Sequence, residues 1–253
     1  MITVLCCNEQ ERILNCICSE PEIAAGSIMK KKSQGNEVLE VWDWTGAVPT
    51  GQSVLRGDAH RDGIPHEGVH LWVVRNTDKG WDVLFQERAS HKEQYPDCLD
   101  ITVGGHVPFG TADNKIQKES MEEIGISPGG DEMFDLGYFR YEEKTETLFH
   151  REFQRVYLYA SGRDLSGYSF MDGEVSGIFA APLEKLETML QRDITFRVEG
   201  FNGVEMITRF VSRKDFHPLL FSQSMDIYMK VLLKAIHELI ETGSVTVTMP
   251  SPV

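Results

Sequence analysis

The stretch GGHVPFGTADNKIQKESMEEIGI, residues 104–126, decides the fold, because it joins paired glycines and a polar loop to an acidic helical segment. Its second half places Glu119, Glu122 and Glu123 at i, i+3 and i+4, so on a helix the three carboxylates share one face. Like charges at that spacing destabilise a helix by about 0.2–0.5 kcal/mol per pair. A chain of net charge −14 gains from such a face when a hard cation neutralises it, and Mg²⁺ favours oxygen ligands.

The composition is that of a globular protein with one large domain, or one domain with appendages. Of 253 residues, 41% are hydrophobic and 25% are charged. A pI near 5.0 argues against nucleic-acid binding, which needs clustered Lys and Arg. No apolar stretch reaches the roughly 18–20 residues of a membrane span, and the first residues are too short for a signal-peptide core. The chain is therefore expected to be cytoplasmic, with its five cysteines as reduced thiols.

Apolar periodicity predicts the elements around the acidic segment. GVHLWVVR and WDVLFQER flank NTDKG and predict a β-hairpin, whereas TGAVPTG predicts a turn. Residues 112–124 predict a helix that ends at Gly125, since the C-cap position needs positive φ. The apolar stripe over 222–241 predicts an amphipathic helix that packs on the core. We expect an α/β fold, a mixed sheet packed between helices in an α/β/α sandwich.

Three segments organise the chain. Residues 1–37 predict an N-terminal hairpin extension and a polar linker, because ITVLCC and RILNCIC flank the polar NEQE. Residues 38–190 form the predicted central domain. Residues 191–253 are a C-terminal extension that ends in the amphipathic helix.

The 104–126 stretch resembles the Nudix box of the Nudix hydrolase family. That pattern is a glycine, a glutamate after five residues, and after seven more Arg-Glu-apolar-x-Glu-Glu-x-Gly-apolar. Here Gly105 opens the box and Lys118–Ile126 matches its second half. The first glutamate falls on Thr111, a lysine stands for the arginine, Ser120 takes an apolar position and one residue is missing. Thr111 is expected to act as the helix N-cap instead.

The surroundings narrow the resemblance. LFQERASHKEQYPDCLDITVGGHV is similar to the isopentenyl-diphosphate-isomerase-like branch of Nudix proteins, and the flanking strands extend the similarity over about residues 38–190. The resemblance implies a Nudix-type α/β/α sandwich with a loop–helix–loop metal motif. It also implies Mg²⁺ or Mn²⁺ as cofactor and a small-molecule diphosphate as substrate.

The same resemblance implies roles for the acidic residues. Glu119, Glu122 and Glu123 are the expected metal ligands, against the alternative of a solvated acidic face. Glu174 is expected to bind metal or to serve as general base, and Glu152 is a weaker candidate for that task. Between Glu123 and Glu174 the sequence does not choose the base.

Cations and glycines complete the expected site. Arg88 and Lys92 resemble the diphosphate-binding pair of that branch, and surface salt bridges are the alternative. Gly104 and Gly105 allow the backbone to approach a ligand closely. His70 and His106 are more often core residues than ligands.

The expected function is hydrolysis of a diphosphate linkage, in a nucleoside-diphosphate-like or other organic diphosphate, by metal-activated water. An isopentenyl-diphosphate isomerase is the first alternative, but those enzymes carry a cysteine where Gly104 stands, and Cys98 lies six residues upstream. The second alternative is a non-catalytic nucleotide-binding Nudix domain. A homodimer stays open.

Overall fold

The computed structural model describes residues 37–111, 113–144, 146 and 149–251. The hairpin predicted in the first 18 residues lies outside the described residues, as does the linker up to residue 36. Both stay predictions. The described residues belong to one unit, which runs from Lys32 to Val253.

The strands of the described chain form two sheets, a small one of two strands and a large one of nine. In chain order the strands are β1 (Val38–Asp43), β2 (Val48–Leu55), β3 (His66–Thr77), β4 (Gly80–Arg88), β5 (Leu99–Ile101), β6 (Val103–His106), β7 (Met133–Lys144), β8 (Phe149–Ala160), β9 (Val175–Pro182), β10 (Phe196–Phe201) and β11 (Met206–Val211).

The large sheet is mixed, as predicted. Its strand order is β11-β10-β9-β4-β3-β8-β7, with β5 paired to β4 and β6 paired to β3. Strands β3 and β8 run parallel, whereas the other pairs recorded in this sheet are antiparallel. The predicted hairpin of β3 and β4 is confirmed, with Thr77 paired to Gly80.

Helices cover both faces of this sheet, which confirms the α/β/α sandwich. Along β3, Val69 and Leu71 pack in a core cluster that contains residues of one helix, whereas Trp72 and Val74 pack in a cluster with two other helices. This alternation follows from the two-residue period of a strand. The helices are α1 (Arg56–Asp62), α2 (Lys115–Ile124), α3 (Leu183–Gln191) and α4 (Asp226–Thr242), with α2 on the first face and α3 and α4 on the second.

The start of α2 corrects one prediction. The helix begins at Lys115 after Asn114, which has φ 58° and makes no side-chain cap bond. The N-cap predicted at Thr111 is therefore wrong. The turn through Gly110, with φ 77°, instead bonds the Thr111 amide to the Pro108 carbonyl at 3.1 Å, so the chain enters the helix later.

The C-cap at Gly125 is confirmed, with φ 70°. A Cβ there would also lie 2.0 Å from Ser169 Oγ, so only glycine fits.

Two other segments differ from the sequence prediction. The second half of the predicted TGAVPTG turn belongs to β2, which starts at Val48. Strands β10 and β11 were not predicted, and β10 pairs with β9, so the C-terminal extension continues the large sheet.

The amphipathic helix is confirmed as α4. Its inner face is fully buried at Tyr228, Leu232 and Ile236. Truncating such a residue as Leu232 to alanine costs about 2–5 kcal/mol. Within the described residues, no helix has the length and apolar character that crossing a bilayer requires.

Candidate functional site

Helix α2 carries the predicted glutamates, and its apolar side sets their direction. Ile124 is fully buried against the sheet, and the adjacent Glu123 is turned inward with 4% of its surface exposed. The backbone amides of Ser169 and Met171 donate to carbonyls in the last turn of α2, both at 3.2 Å. These bonds hold the loop of residues 169–174 against the C-terminal end of the helix.

Three carboxylates meet at this place, which we call the carboxylate group. Ligand oxygens of Glu123, Asp172 and Glu174 lie within 4.8 Å of one another. Oε2 of Glu123 accepts hydrogen bonds from Gln86 Nε2 at 3.2 Å and from the Gly104 amide at 3.3 Å. One buried carboxylate is thus fixed in direction by two strands, β4 and β6.

The electrostatics of the carboxylate group favour a bound cation. Burial, and then the charges of Glu119 and Asp172, raise the pKa of Glu123 well above its ordinary value, although the Gly104 amide partly offsets this. Burial also raises the pKa of Asp172. Neighbouring carboxylates that leave water need a compensating charge, and oxygen donors suit a hard cation such as Mg²⁺.

The three predicted ligands of α2 do not share one environment. Glu119 lies against Gly105, where a Cβ would be 2.8 Å from Glu119 Oε2. Glu122 faces outward with 35% of its side chain exposed, and its Oε1 is 3.8 Å from Lys118 Nζ. Only Glu123 of the three belongs to the carboxylate group.

The two predicted phosphate-binding cations already have protein partners. Lys92 Nζ forms a short ion pair with Glu174 Oε2, and only 11% of the lysine side chain is exposed. Arg88 donates to the carbonyls of residues 94 and 95 at 3.0 and 3.1 Å, and to Asp100 Oδ2 at 3.2 Å. Lys92 thus offsets the charge of Glu174, while Arg88 shapes the loop after β4.

A second set of ligands, the histidine group, gathers side chains from α1, β3, β6 and β8. Nε2 of His60 lies 3.3 Å from Nε2 of His66 and 3.1 Å from Nε2 of His106. Glu152 Oε1 lies 3.9, 3.7 and 3.6 Å from these three nitrogens in that order. His150 adds its Nδ1 at 3.3 Å from the same oxygen. Three nitrogens and one carboxylate oxygen therefore face a common centre.

The protonation of the histidine group is that of a metal site. His66 Nδ1 lies 2.9 Å from the Ile64 carbonyl, which can only accept, so Nδ1 carries a proton and Nε2 is the nitrogen that faces the centre. Burial lowers the pKa of His60 to about 2 and that of His106 to about 4. Burial alone would raise the pKa of Glu152, but hydrogen bonds from the surrounding histidines hold it well below its ordinary value. Neutral imidazoles and an ionised carboxylate are the forms that bind a cation.

The spacing of these atoms fits a transition-metal ion. A tetrahedral Zn²⁺ with nitrogen ligands at about 2.0–2.1 Å holds its ligand atoms about 3.3 Å apart. The separations from His60 Nε2 to the other ligand atoms are 3.1 to 3.9 Å. Imidazole nitrogens suit Zn, Fe and similar ions better than Mg²⁺. The histidine group can hold such an ion, and the carboxylate group can hold a hard one.

Two glycines separate the groups. Gly104 and Gly105 of β6 pair with His70 and Val69 of β3. The side chains of Glu152 and His70 face the α4 side of the sheet by strand alternation, whereas α2 lies on the other side. A cavity of about 180 Å³ on the α4 side is lined by both glycines, His70 and Glu152.

Sequence reasoning missed His60, His66 and Asp172, and it placed His106 in the core. Asp172 carried a signal, because it stands two residues before Glu174 in the same turn. His60 and His66 stand six residues apart, but the sequence does not connect them to His106 and Glu152, which come from strands much further along the chain.

Proteins that carry Nudix hydrolase names are similar to this chain in sequence. An uncharacterised Nudix hydrolase of Clostridium acetobutylicum is 26% identical over 187 residues, which cover 72% of this chain and 88% of that protein. Nudix hydrolase 3 of Arabidopsis thaliana is 31% identical over 163 residues, 61% of this chain and 21% of that longer protein. The chain belongs to the Nudix superfamily.

Neither family profiles nor solved structures give further information on the family. No protein-family profile matches the chain. The crystal structure of a MutT/nudix family protein from Enterococcus faecalis aligns with a TM-score of 0.43 and 15% identity, over 70% of this chain and 62% of that one. That similarity is too distant to support a further conclusion.

Thr111 and Lys118 stand where the Nudix pattern has a glutamate and an arginine, and helix α2 is fastened at its N-terminal end by Lys115. Lys115 Nζ lies 2.5 Å from Oε2 of Glu67, which is 4% exposed, and the Tyr138 hydroxyl donates to the other oxygen at 2.9 Å. These bonds tie the first turn of α2 to β3 and β7.

Proposed function

We propose that this Nudix protein hydrolyses a small organic diphosphate with the help of a divalent cation, Mg²⁺ or Mn²⁺. The carboxylate group is the observation that carries the proposal. Burial and mutual repulsion make it costly in the absence of a cation, and its oxygen ligands match a hard one. The Nudix hydrolase names of the relatives support the same reaction class.

A cation bound there would polarise phosphate oxygens and lower the pKa of a water molecule. The chain's own residues supply orientation and proton transfer. Gln86 and Gly104 fix one oxygen of Glu123, which leaves the other to face the reaction centre. Gly104 and Gly105 add no side chains, so phosphate oxygens can lie against the β6 backbone.

Glu123 is the proposed general base. In hydrolysis the water oxygen bonds to phosphorus, the bridging P–O bond breaks, and the water proton passes to the base. In the cation-free protein the pKa of Glu123 is raised, and a neighbouring cation would bring it back down, so that the carboxylate is ionised and can accept the proton. Glu174 is less suited, because the ion pair with Lys92 stabilises its charge. Lys92 is proposed to exchange this partner for a phosphate oxygen when substrate binds.

A hydrolysis screen of the full chain, read by chromatography of the monophosphates formed, tests the proposal, because cleavage of a diphosphate linkage between two organic groups releases no inorganic phosphate. Nucleotide sugars, dinucleotides, nucleoside triphosphates and thiamine-type diphosphates would be supplied with Mg²⁺ or Mn²⁺. Removing a general base costs about 10²–10⁴-fold, so we expect Glu123→Gln to lose at least 100-fold in kcat. Glu184→Gln, on an exposed helical glutamate, is the matched control. Turnover independent of cations, or unchanged in Glu123→Gln, would contradict the mechanism.

The two alternatives make different predictions. An isomerase would interconvert isopentenyl and dimethylallyl diphosphate, but Gly104 offers no thiol at the position where that branch has one. A non-catalytic binding domain would bind the compounds of the screen and leave their diphosphate linkages intact. The same screen with a binding measurement therefore separates all three.

A further inference from the structure

His70 lies in the middle of β3 and lines the 180 Å³ cavity together with Gly104. It belongs to neither the carboxylate group nor the histidine group. Its Nδ1 lies 3.0 Å from the hydroxyl of Tyr228, a residue of α4. The same hydroxyl lies 2.8 Å from Trp72 Nε1. A chain of two buried hydrogen bonds thus connects the cavity, through His70 and Tyr228, to Trp72 in the core.

The two hydrogen bonds of the Tyr228 hydroxyl determine which ring nitrogen of His70 carries the proton. The indole nitrogen of Trp72 can only donate, so it donates to the Tyr228 oxygen. Tyr228 and Trp72 are both fully buried, and the hydroxyl proton finds its acceptor at His70 Nδ1. In the neutral ring the remaining proton is then on Nε2. Burial also lowers the pKa of His70, which favours the neutral ring.

The protonated nitrogen borders the space above Gly104. His70 Cδ2, which is bonded to Nε2, lies 3.6 Å from the position that a Cβ of residue 104 would take. No hydrogen-bond acceptor for Nε2 occurs among the described residues. On the opposite side of the same residue, the Gly104 amide donates to Glu123. Gly104, which has no side chain, therefore lies in contact with both the fixed N–H donor and the proposed base.

We propose that His70 donates a hydrogen bond through Nε2 to a phosphoryl oxygen of the substrate, and that Tyr228 and Trp72 are positioning residues that hold this tautomer. The inference rests on the proposed function, because it deepens the diphosphate site. A hydrogen bond to a charged oxygen is stronger than one to a neutral acceptor. A donor whose direction is fixed before the substrate arrives also needs no reorganisation.

Nitrogen-15 NMR of the full chain tests the tautomer without any turnover. The eight histidines are labelled, and His70→Gln assigns the His70 signals by their loss. We expect an unprotonated Nδ1 and a protonated Nε2. Tyr228→Phe should let the proton redistribute between the two nitrogens, which a merely structural role of the tyrosine would not cause. A protonated Nδ1 in wild type would overturn the inference.

Pyrophosphate with Mg²⁺ is the probe for binding. We expect it to shift the His70 Nε2–H signal, whereas the signal of the exposed His237 on α4 stays unchanged. With a substrate from the screen, His70→Phe should lower kcat/KM by about 10- to 100-fold, the worth of one charged hydrogen bond. His70→Gln, which keeps an N–H donor, should recover part of that loss. His237→Gln is the control.

The outcomes separate this inference from the function on which it rests. A wild-type protein that hydrolyses no diphosphate, but shows the pyrophosphate shift at His70, would refute the hydrolase and support the donor. Active wild type with full activity in His70→Phe, or no shift on pyrophosphate binding, would refute the donor alone. Because the NMR shift is measured on wild type, poor folding of a variant does not block the test.

Discussion

Replacing Gly105 with alanine is expected to lower turnover strongly while it changes the free energy of unfolding little. The new methyl carbon would lie 2.8 Å from Oε2 of Glu119, 3.0 Å from Cδ and 3.1 Å from Cγ. Ordinary contact begins at 3.4 Å, so the carboxylate must retreat by about 0.6 Å. The neighbouring atoms are the end of a flexible side chain, which makes the steric cost about 0.5–1.5 kcal/mol. Restricting the unfolded chain returns about 0.4–1 kcal/mol.

The net change in the free energy of unfolding for Gly105→Ala should therefore stay within about 1 kcal/mol. Turnover should fall by about 10- to 100-fold, because a displacement near 1 Å in a catalytic site costs up to 10²-fold. Urea unfolding measures the change in stability, and a Mg²⁺ titration of substrate hydrolysis measures the change in turnover. Gly162→Ala is the control, since its methyl would meet nothing within 4 Å. Full turnover in Gly105→Ala, or a stability loss of several kcal/mol, would refute the reasoning.

Further predictions concern the two cation groups and the isomerase alternative. In chelator-treated protein, Glu123→Gln should be more stable than wild type at neutral pH, because the raised pKa of Glu123 means that wild type loses stability as pH rises above 4.5. Unfolding curves should show this advantage disappearing below that pH, and a constant difference would contradict it. His106→Ala should bind Zn²⁺ at least about tenfold more weakly by calorimetry, whereas the exposed-site variant His237→Ala should bind like wild type. Wild type with Mg²⁺ should not interconvert isopentenyl and dimethylallyl diphosphate, and isomerisation seen by NMR would show that Gly104 is no obstacle.

The sequence predicted correctly those elements that are determined by residues close together along the chain. The β3–β4 hairpin follows from alternating apolar residues around a polar turn, and the end of α2 follows from Gly125. The start of α2 was misplaced, because the N-cap preference of Thr111 is weaker than the turn that Gly110 makes possible. The β10–β11 hairpin was missed although Asn202-Gly203 lies between its strands, a dipeptide typical of hairpin turns.

The same distinction holds for the site: spacing within one helix is visible in the sequence, whereas contacts between distant segments are not. Spacing within α2 indicates an acidic face, but only packing decides that Glu123 faces inward while Glu122 faces outward. The histidine group depends on the register of β3 against β6 and β8, in which Gly68 lies opposite both His106 and Gln154. A single sequence contains no period that connects such strands.

The two ligand groups differ in charge, in ligand chemistry and in what a proton does to them. In the carboxylate group, burial raises the pKa values of Glu123 and Asp172, so protons would compete with a cation and binding would strengthen as pH rises. In the histidine group the opposite shifts hold: the rings of His60 and His106 are neutral from mildly acidic pH upward, and Glu152 stays ionised. A transition-metal ion there would therefore find the rings of His60 and His106 already neutral at neutral pH. Two glycines of β6 thus separate a group in which protons would compete with a cation from one in which two of the three imidazole ligands are already neutral, and the proposed general base lies in the first.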